Sequence, residues 1–164
     1  MTLLDYATYI ASLPRVLVGA AVLFRDDAGR VLLVEPNYRE GWALPGGTVE
    51  SDTGETPRQG AGRETLEEIG LDVPVGRLLA VDWSAGTRRP PLVAYLYDGG
   101  VLSGEQIAAI RLQEEELDSW RFVARAELPA YLLGSLGRRV AAALDVLAAG
   151  TGAAELENGE PVTG

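Results

Sequence analysis

Runs of apolar residues separated by turn residues divide the chain into predicted strands and helices. The run VLVGAAVLF, residues 16–24, is β-branched and apolar, and the polar turn at 26–29 separates it from a second apolar run at 31–35. Two such runs around a short turn predict a β-hairpin. Further strands of about five residues, a typical strand length, are predicted at 78–83, 92–97 and 120–123.

Helical spacing of apolar residues predicts helices at 56–69, 103–110 and 136–148, and a short helix at 3–12 that lies on the domain and ends at Pro14. Strands and helices follow one another without the regular strand–helix–strand alternation of a parallel sheet. The pattern therefore predicts an α+β fold, in which a mixed sheet packs between helices.

The two ends of the chain differ in composition from its middle. Residues 1–15 hold only the short predicted helix, whereas residues 150–164 are rich in Gly and Glu and have almost no large apolar side chain. We therefore predict a helical extension at 1–15, one domain at 16–149 and a disordered tail at 150–164.

The composition excludes several classes of catalytic chemistry. All 14 basic residues are arginine, because the chain has no Lys, and His and Cys are also absent. A Ser–His–Asp triad, a cysteine nucleophile, a lysine Schiff base, a phosphate-loop lysine and a His/Cys zinc site are all excluded. Acid–base and metal chemistry is left mainly to the 24 carboxylates.

The net charge of −10 restricts the partners of the protein. A strongly anionic protein is not attracted to DNA, RNA or anionic lipid, whereas clustered carboxylates bind hard cations such as Mg²⁺ or Mn²⁺. No segment approaches the roughly 20 apolar residues of a membrane span, and the first residues lack the basic leader of a signal peptide. We expect a cytoplasmic protein that binds neither nucleic acid polymers nor membranes.

The most informative segment is GGTVESDTGETPRQGAGRETLEEIGL, residues 46–71, whose second half predicts a well-delimited helix. Thr56 and Gln59 have the spacing of a capping box, and Pro57 stands at the first helical position. Gly70 supplies the left-handed residue that ends the helix.

Three carboxylates share one face of this helix. At about 100° per residue, the arc that holds Glu64, Glu67 and Glu68 lies opposite an arc of less polar residues, Thr65, Leu66 and Ile69. Like charges at this spacing repel by roughly a few tenths of a kcal/mol per pair. A divalent ion between Glu64 and Glu68 would turn that repulsion into coordination; the alternative is a solvated acidic face.

The Gly-Gly pair before the helix favours the ion. Gly46 and Gly47 allow the backbone to approach a ligand more closely than residues with side chains would. Arg63 is the one cation near the carboxylates in the sequence, and it can pair with Glu67 one turn on or reach back to Glu55.

The segment resembles the signature box of the Nudix hydrolases. That box consists of a Gly-Gly turn, a glutamate, a gap of seven residues, Arg-Glu, a pair of glutamates and a final Gly followed by an apolar residue. In this chain the places are filled in order by Gly46, Gly47, Glu55, Arg63, Glu64, Glu67, Glu68, Gly70 and Leu71.

Two features depart from the family pattern. Seven residues separate Gly47 from Glu55 where the family usually has five, and Thr65 stands at a position that is usually aliphatic. We expect the methyl group of Thr65 to pack inward. Neither departure removes a carboxylate.

The resemblance extends over about residues 16–148, including the segment GWALPGG at 41–47. It implies an α/β/α sandwich around a mixed β-sheet. It also implies hydrolysis of a nucleoside diphosphate linked to another group, with Mg²⁺ as cofactor and Mn²⁺ as the alternative. In such chemistry the divalent ion neutralises the diphosphate and activates a bound water.

The resemblance also implies a set of metal ligands. Glu64 and Glu68 would be the principal ligands, and Glu67 would join them directly or through water. The carbonyl group of Gly46 would complete the site.

Two more box residues and a general base complete the implied machinery. Arg63 and Glu55 would orient the metal ligands. The base would be Glu64 or a residue of the acidic run at 114–116, which stands where family members often place a catalytic glutamate. We prefer Glu116; the alternative for the run is a solvated loop.

An anionic substrate requires local positive charge, and arginine binds phosphate oxygens with two hydrogen bonds. We predict Arg39, Arg88 and Arg89 as substrate-binding residues, although the last two also fit the tip of a hairpin. Trp42 is the predicted substrate-binding aromatic residue, from a set of candidates for base stacking that also contains Tyr38, Trp83, Tyr95 and Trp120.

Two other classes of function stay open. A noncatalytic module that senses a nucleotide or another ligand would have the same fold, and a structural or interaction protein would use residues 136–147 as a partner helix. The intact glutamates favour the enzyme, and packing against the sheet explains the apolar helix better. Self-association into a homodimer and the identity of the nucleotide substrate are left open.

Overall fold

Eight strands form one mixed sheet in the computed structural model, which describes residues 5–163. The strands are β1 (Leu17–Arg25), β2 (Val31–Pro36), β3 (Gly46–Thr48), β4 (Leu78–Ser84), β5 (Leu92–Val101), β6 (Leu117–Val123), β7 (Ala154–Glu157) and β8 (Glu160–Pro161). Their order across the sheet is β6-β2-β1-β5-β4-β7-β8, and β3 pairs with β1 outside this path.

Five α-helices and two short 3₁₀ turns surround the sheet. The helices are α1 (Tyr6–Ser12), α2 (Pro57–Ile69), α3 (Gly104–Ala108), α4 (Leu128–Tyr131) and α5 (Ser135–Ala149), and the turns are Ser51–Thr53 and Arg125–Glu127. Within residues 5–163, no helix is long and apolar enough to cross a membrane.

The sheet separates two hydrophobic cores, because successive side chains of a strand point to opposite faces. On β1, Val22 and Phe24 belong to the core that also contains Ile69 of α2, whereas Leu23 belongs to the core that also contains Val140 of α5. Helices therefore cover both faces, which confirms the predicted α+β fold and its α/β/α sandwich. The apolar face of α5 is buried against the sheet, as its packing explanation requires.

The strands β1 and β2 diverge after their hairpin, and this divergence positions the site. The two strands pair through Arg25 and Val31, beside the turn. Farther along, β1 pairs instead with β3 on one side and runs parallel to β5 on the other. The segment that leads into α2 thereby lies against the middle of the sheet.

The N-terminal helix differs from its prediction. The described part of the predicted helix at 3–12 is α1, and residues 3 and 4 lie outside the described residues. None of the residues of α1 is buried, so the expectation that it lies packed on the domain is wrong. Local bonds hold it instead, since the side chain of Asp5 accepts a hydrogen bond from the Thr8 amide.

The predicted disordered tail is also wrong. Strand β7 runs parallel to β4, and β8 folds back on β7 through the turn Asn158–Gly159, in which both residues have positive φ. An Asn-Gly turn favours such a hairpin. Leu156, with 1% of its surface exposed, fills a place in the core below α5. Backbone pairing and this one side chain compensate for a composition that is otherwise poor in apolar residues.

We expect Leu156→Ala to lower the free energy of unfolding by about 2–5 kcal/mol, because it leaves a cavity under α5. Urea denaturation would measure the loss. Val162→Ala, at an exposed position of the same terminal segment, is the matched control and should change stability little. An equal and small effect of both substitutions would contradict the anchoring role of Leu156.

Candidate active site

Gly46 and Gly47 bring β3 close to β1 and α2. A Cβ atom on Gly46 would lie 2.5 Å from the carbonyl oxygen of Ala20, and one on Gly47 would lie 2.5 Å from the carboxyl carbon of Glu64. Both distances are too short for a side chain. The two glycines thus allow close packing within the protein, and the group that occupies the space at Gly47 is the carboxylate of Glu64. The close approach of this backbone to a ligand stays a prediction.

A short turn accommodates the two extra residues before Glu55. The turn Ser51–Thr53 ends at Gly54, whose φ of 84° is left-handed. Glu55 then accepts a hydrogen bond from the amide of Glu50 at 2.8 Å. It also pairs with Arg63, with 2.6 Å between Oε1 and Nε. The longer loop therefore leaves the link between Glu55 and the helix intact.

Arg63 connects this loop to the carboxylates of α2. Its Nη1 lies 3.0 Å from Glu64 Oε1 and 3.1 Å from Glu67 Oε2, and its Nη2 donates to the carbonyl oxygen of Thr48. Both pairings predicted for Arg63 are thus present together. The hydrogen bond from Arg63 is the main reason that the pKa of Glu55 is lowered, and the pKa of Arg63 is held above its ordinary range.

The three carboxylates of α2 differ in exposure. Glu68 is buried, the side chain of Glu64 is 16% exposed, and that of Glu67 is 49% exposed. Thr65 packs inward as predicted, and its hydroxyl donates to the carbonyl oxygen of Ala61 at 2.9 Å. Leu66, on the less polar arc of α2, is half exposed.

Within residues 5–163, Glu68 is a buried carboxylate without a cationic partner. Its Oε2 accepts a hydrogen bond from the Gly46 amide at 3.0 Å. Burial, and then the nearby negative charges of Glu64, Glu116 and Glu67, raise its pKa to about 8 against that hydrogen bond. Burial also raises the pKa of Glu64, although Arg63 opposes the shift. Bringing these groups together costs electrostatic energy that a bound cation would recover.

The acidic run at 114–116 lies beside these carboxylates. The backbone amide of Asn37 donates to the carbonyl oxygen of Glu116 at 2.9 Å, and the side-chain amide of Asn37 donates to the carbonyl oxygen of Glu115 at 3.1 Å. Glu116 reaches a recess of about 310 Å³, whose lining also contains Tyr38, Gly46, Gly47, Thr48, Glu64 and Glu68. Glu67 does not belong to this lining, because it points toward solvent and pairs with Arg63.

The oxygen donors of the recess suit a hard divalent cation, although their side chains do not converge on a single position. Within residues 5–163, no three His, Cys, Asp or Glu side chains stand close enough to hold a metal as they are. Arg63 holds Glu64, and the Gly46 amide holds Glu68. The available donors are all oxygens, and the carboxyl group of Glu68 faces the same recess as Glu64. Oxygen donors are the ligands that Mg²⁺ prefers.

The recess opens into a larger cleft of about 360 Å³ where β1 and β2 diverge. Its lining combines residues of β1, β2, β3 and β5 with Glu68 of α2 and Leu136 of α5. Arg39, predicted to bind substrate, lines this cleft, and so do the candidate stacking residues Tyr38 and Tyr95.

The structure does not bring the other predicted substrate residues to the cleft. Trp42 packs edge-on against Tyr131, with ring centroids 5.5 Å apart, and lies under the guanidinium of Arg121. Arg88 and Arg89 are exposed in the loop between β4 and β5. They occupy a hairpin tip, which was their alternative interpretation.

One cleft residue has no counterpart among the predictions. Arg139 of α5 lines the cleft and pairs with Asp82 of β4, which is fully buried. The signal was present in the helix, since Arg139 follows Leu136 by three residues and precedes Val140, which places it on the apolar face. An arginine at such a position requires a buried acidic partner, and only the fold shows which one.

Comparison with known proteins identifies the family. The family model of the NUDIX domain matches residues 15–144. A MutT-like protein from Streptomyces ambofaciens is 44% identical over 62 residues, and the match covers 38% of this chain and 38% of that protein's length. A candidate 8-oxo-dGTP diphosphatase from Bacillus subtilis is 27% identical over 124 residues, 74% of this chain and 76% of that protein.

A solved structure agrees with this assignment. The MutT Nudix hydrolase from Burkholderia pseudomallei superposes with a TM-score of 0.65 at 26% identity, and the alignment covers 80% of this chain and 98% of that one. The family model covers most of the chain, and four residues of the signature box, Gly46, Gly47, Glu64 and Glu68, line one recess. The chain belongs to the Nudix hydrolase family.

Proposed function

We propose that the protein is a Mg²⁺-dependent pyrophosphohydrolase that cleaves the diphosphate linkage of a nucleoside diphosphate joined to another group. The observation that carries the proposal is the convergence of Glu64, Glu68 and Glu116 on one recess that opens into a cleft. A sensing module would need the cleft, but it would have no use for three carboxylates that face one recess and for the raised pKa values of Glu64 and Glu68.

Glu64 and Glu68 would hold the ion, with the Gly46 carbonyl as the third donor and Glu67 acting from the solvent side. A bound divalent ion supplies charge neutralisation of the diphosphate and lowers the pKa of a coordinated water. Arg63 and Glu55 fix the ligands, since Arg63 holds Glu64 at 3.0 Å and Glu55 holds Arg63 at 2.6 Å.

Glu116 is the proposed general base. Its carboxylate forms no hydrogen bond or ion pair with the rest of the described chain, whereas Glu64 is bound by Arg63 and Glu68 by the Gly46 amide. A base must have a free oxygen that can accept the proton of the attacking water. The link from Asn37 to its backbone holds Glu116 at the edge of the recess.

The substrate would be a small nucleotide whose diphosphate lies at the recess and whose remaining part lies in the cleft. Similarity to the Bacillus subtilis candidate 8-oxo-dGTP diphosphatase supports a nucleotide, and Arg39, which lines the cleft, would contact its anionic groups. The cytoplasmic location, Mn²⁺ as a substitute and the homodimer stay predictions.

We expect Glu64→Gln and Glu68→Gln to abolish hydrolysis at limiting Mg²⁺ and to weaken Mg²⁺ binding in calorimetric titration, since each removes an anionic oxygen ligand but keeps the shape. Glu115→Gln, outside the recess, is the control. Wild-type turnover of either variant at limiting Mg²⁺ would remove that carboxylate from the metal site.

Glu68 should make the metal-free protein less stable as the pH rises. Its folded pKa of about 8 exceeds the ordinary value of 4.5, so between these values the folded chain binds the additional proton. The free energy of unfolding should therefore fall with increasing pH by up to about 1.4 kcal/mol per unit. Urea denaturation in EDTA at several pH values would measure it. Glu68→Gln should flatten the profile, and identical profiles for both proteins would refute the assignment.

Glu116→Gln should lower the maximal rate by roughly 10² to 10⁴, the usual value of general-base catalysis, while Mg²⁺ affinity and KM stay nearly unchanged. Glu115→Gln, the adjacent carboxylate, should retain the wild-type rate. The maximal rates and the pH–rate profiles of the two variants would test this assignment of the base. A loss of Mg²⁺ affinity would make Glu116 a ligand, and an unchanged rate would pass the base to Glu64.

A further inference from the structure

The acidic turn at 114–116 is tied at one end to α2. The backbone amide of Arg111 donates to the carbonyl oxygen of Ile69, and that of Gln113 donates to the carbonyl oxygen of Glu68, each at 2.9 Å. The same helix carries the carboxylates that face the recess. This end of the loop therefore keeps a fixed position relative to the candidate metal ligands.

The other end of the turn is tied to Asn37, the residue after β2. The backbone amide of Asn37 donates to the carbonyl oxygen of Glu116 at 2.9 Å. The side-chain nitrogen Nδ2 lies 3.1 Å from the carbonyl oxygen of Glu115 and 3.4 Å from that of Glu114. One residue thus bonds to three consecutive carbonyl groups of the turn.

The side chain makes this tie specific to the residue type. Any residue other than proline could donate the backbone bond from position 37, but the bonds to Glu114 and Glu115 require a short side chain with an N–H donor. Asn37 is exposed, so water can replace its side-chain bonds when the amide is removed. A substitution there should loosen the turn without unfolding the domain.

The turn needs a tie because its charge is repelled from the recess. The carboxylate of Glu116 lies near enough to Glu64 and Glu68 to contribute to the raised pKa of each. This repulsion pushes Glu116 outward in the metal-free protein. Asn37 opposes it, because it holds the backbone of the turn beside Tyr38, which lines the same recess.

We propose that Asn37 is a positioning residue for the reaction, whose side-chain amide holds the turn at 114–116 so that the carboxylate of Glu116 stays at the recess. This role rests on the proposed function, because it requires Glu116 to be the general base. A base acts only within hydrogen-bond reach of the proton that it takes, so its rate depends on the position of the turn. Asn37 itself acts only through Glu116.

The first test is Asn37→Leu, which keeps the approximate size of the side chain and removes its amide. With the nucleotide that the wild-type protein hydrolyses fastest among nucleoside triphosphates and ADP-sugars, kcat should fall by roughly 3- to 10-fold, the value of one neutral hydrogen bond. KM and Mg²⁺ affinity should stay nearly unchanged. A raised KM with wild-type kcat would mean that Asn37 supports the neighbouring cleft residues Tyr38 and Arg39 instead, and would overturn the proposal.

A double-mutant cycle with Glu116→Gln separates positioning from a general structural role. If Asn37 acts through Glu116, Asn37→Leu should change kcat by less than about twofold in the Glu116→Gln background, because no base remains to be positioned. A purely structural role would lower kcat by the same factor in both backgrounds. That result would overturn the proposal and leave Glu116 as the base.

Two further variants connect the effect to the amide of Asn37. Asn37→Gln keeps a side-chain amide and should retain more of the wild-type kcat than Asn37→Leu. Gln113→Leu is the matched control, because it removes a side-chain amide from the same loop and keeps the backbone bonds of Gln113. It should retain the wild-type kcat. An equal loss in Gln113→Leu and Asn37→Leu would overturn the specific role of Asn37.

Hydrogen exchange distinguishes failure of this role from failure of the proposed function, since it requires no turnover. The amides of Glu116 and Leu117 both donate to the carbonyl oxygen of Gln113 at 3.0 Å. In Asn37→Leu they should exchange roughly 3- to 10-fold faster, because the turn opens more often. Unchanged exchange, measured by NMR, would overturn the positioning role whether or not a nucleotide is hydrolysed.

The remaining outcomes concern the base. Faster exchange in Asn37→Leu combined with a wild-type rate in Glu116→Gln would refute Glu116 as the base, and with it the role of Asn37 in the reaction. Faster exchange in a protein that hydrolyses no nucleotide would refute the proposed function, although Asn37 would still hold the turn. Faster exchange together with a non-additive cycle would support both.

Discussion

The close packing of β3 against α2 is the constraint on which the site depends. Because Gly47 has no Cβ atom, the carboxylate of Glu64 lies directly against the strand, and the Gly46 amide donates to Glu68 across the same contact. Any side chain at Gly47 would displace Glu64 from the recess. The position of α2 on the sheet, and with it the position of two candidate metal ligands, is therefore set by two glycines.

This packing has an electrostatic consequence. It buries Glu68 and crowds it with Glu64 and Glu116, while Arg63, the cation at this site, is directed toward Glu55, Glu64 and Glu67. The fold thus keeps one carboxylate uncompensated where it would face a bound ion. This crowding reduces the stability of the metal-free protein locally, and a divalent cation bound at Glu68 would relieve it.

The divergence of β1 and β2 joins the two halves of the site. The opening between these strands lets a single cleft reach from Glu68 of α2, on one face of the sheet, to Arg139 of α5, on the other. The recess at one end of this cleft is lined by Glu64, Glu68 and Glu116, and the Arg139–Asp82 ion pair lies at the other end. A ligand in the cleft can therefore contact both helices although the sheet separates them.

The sequence by itself determined what depends on local spacing. Capping residues and apolar periodicity predicted α2, the hairpin of β1 and β2 and the packing face of α5. The spacing of the box identified Glu55, Arg63, Glu64 and Glu68 as one group, because these residues are only a few positions apart in the chain. Tertiary structure alone decided what depends on long-range pairing. It placed Trp42 outside the cleft, gave Leu156 a core position through the pairing of β7 with β4, and joined Arg139 to Asp82 across 57 positions of sequence. The spacing of residues along the chain does not reveal the partners in these contacts, because the partners meet only when the sheet forms.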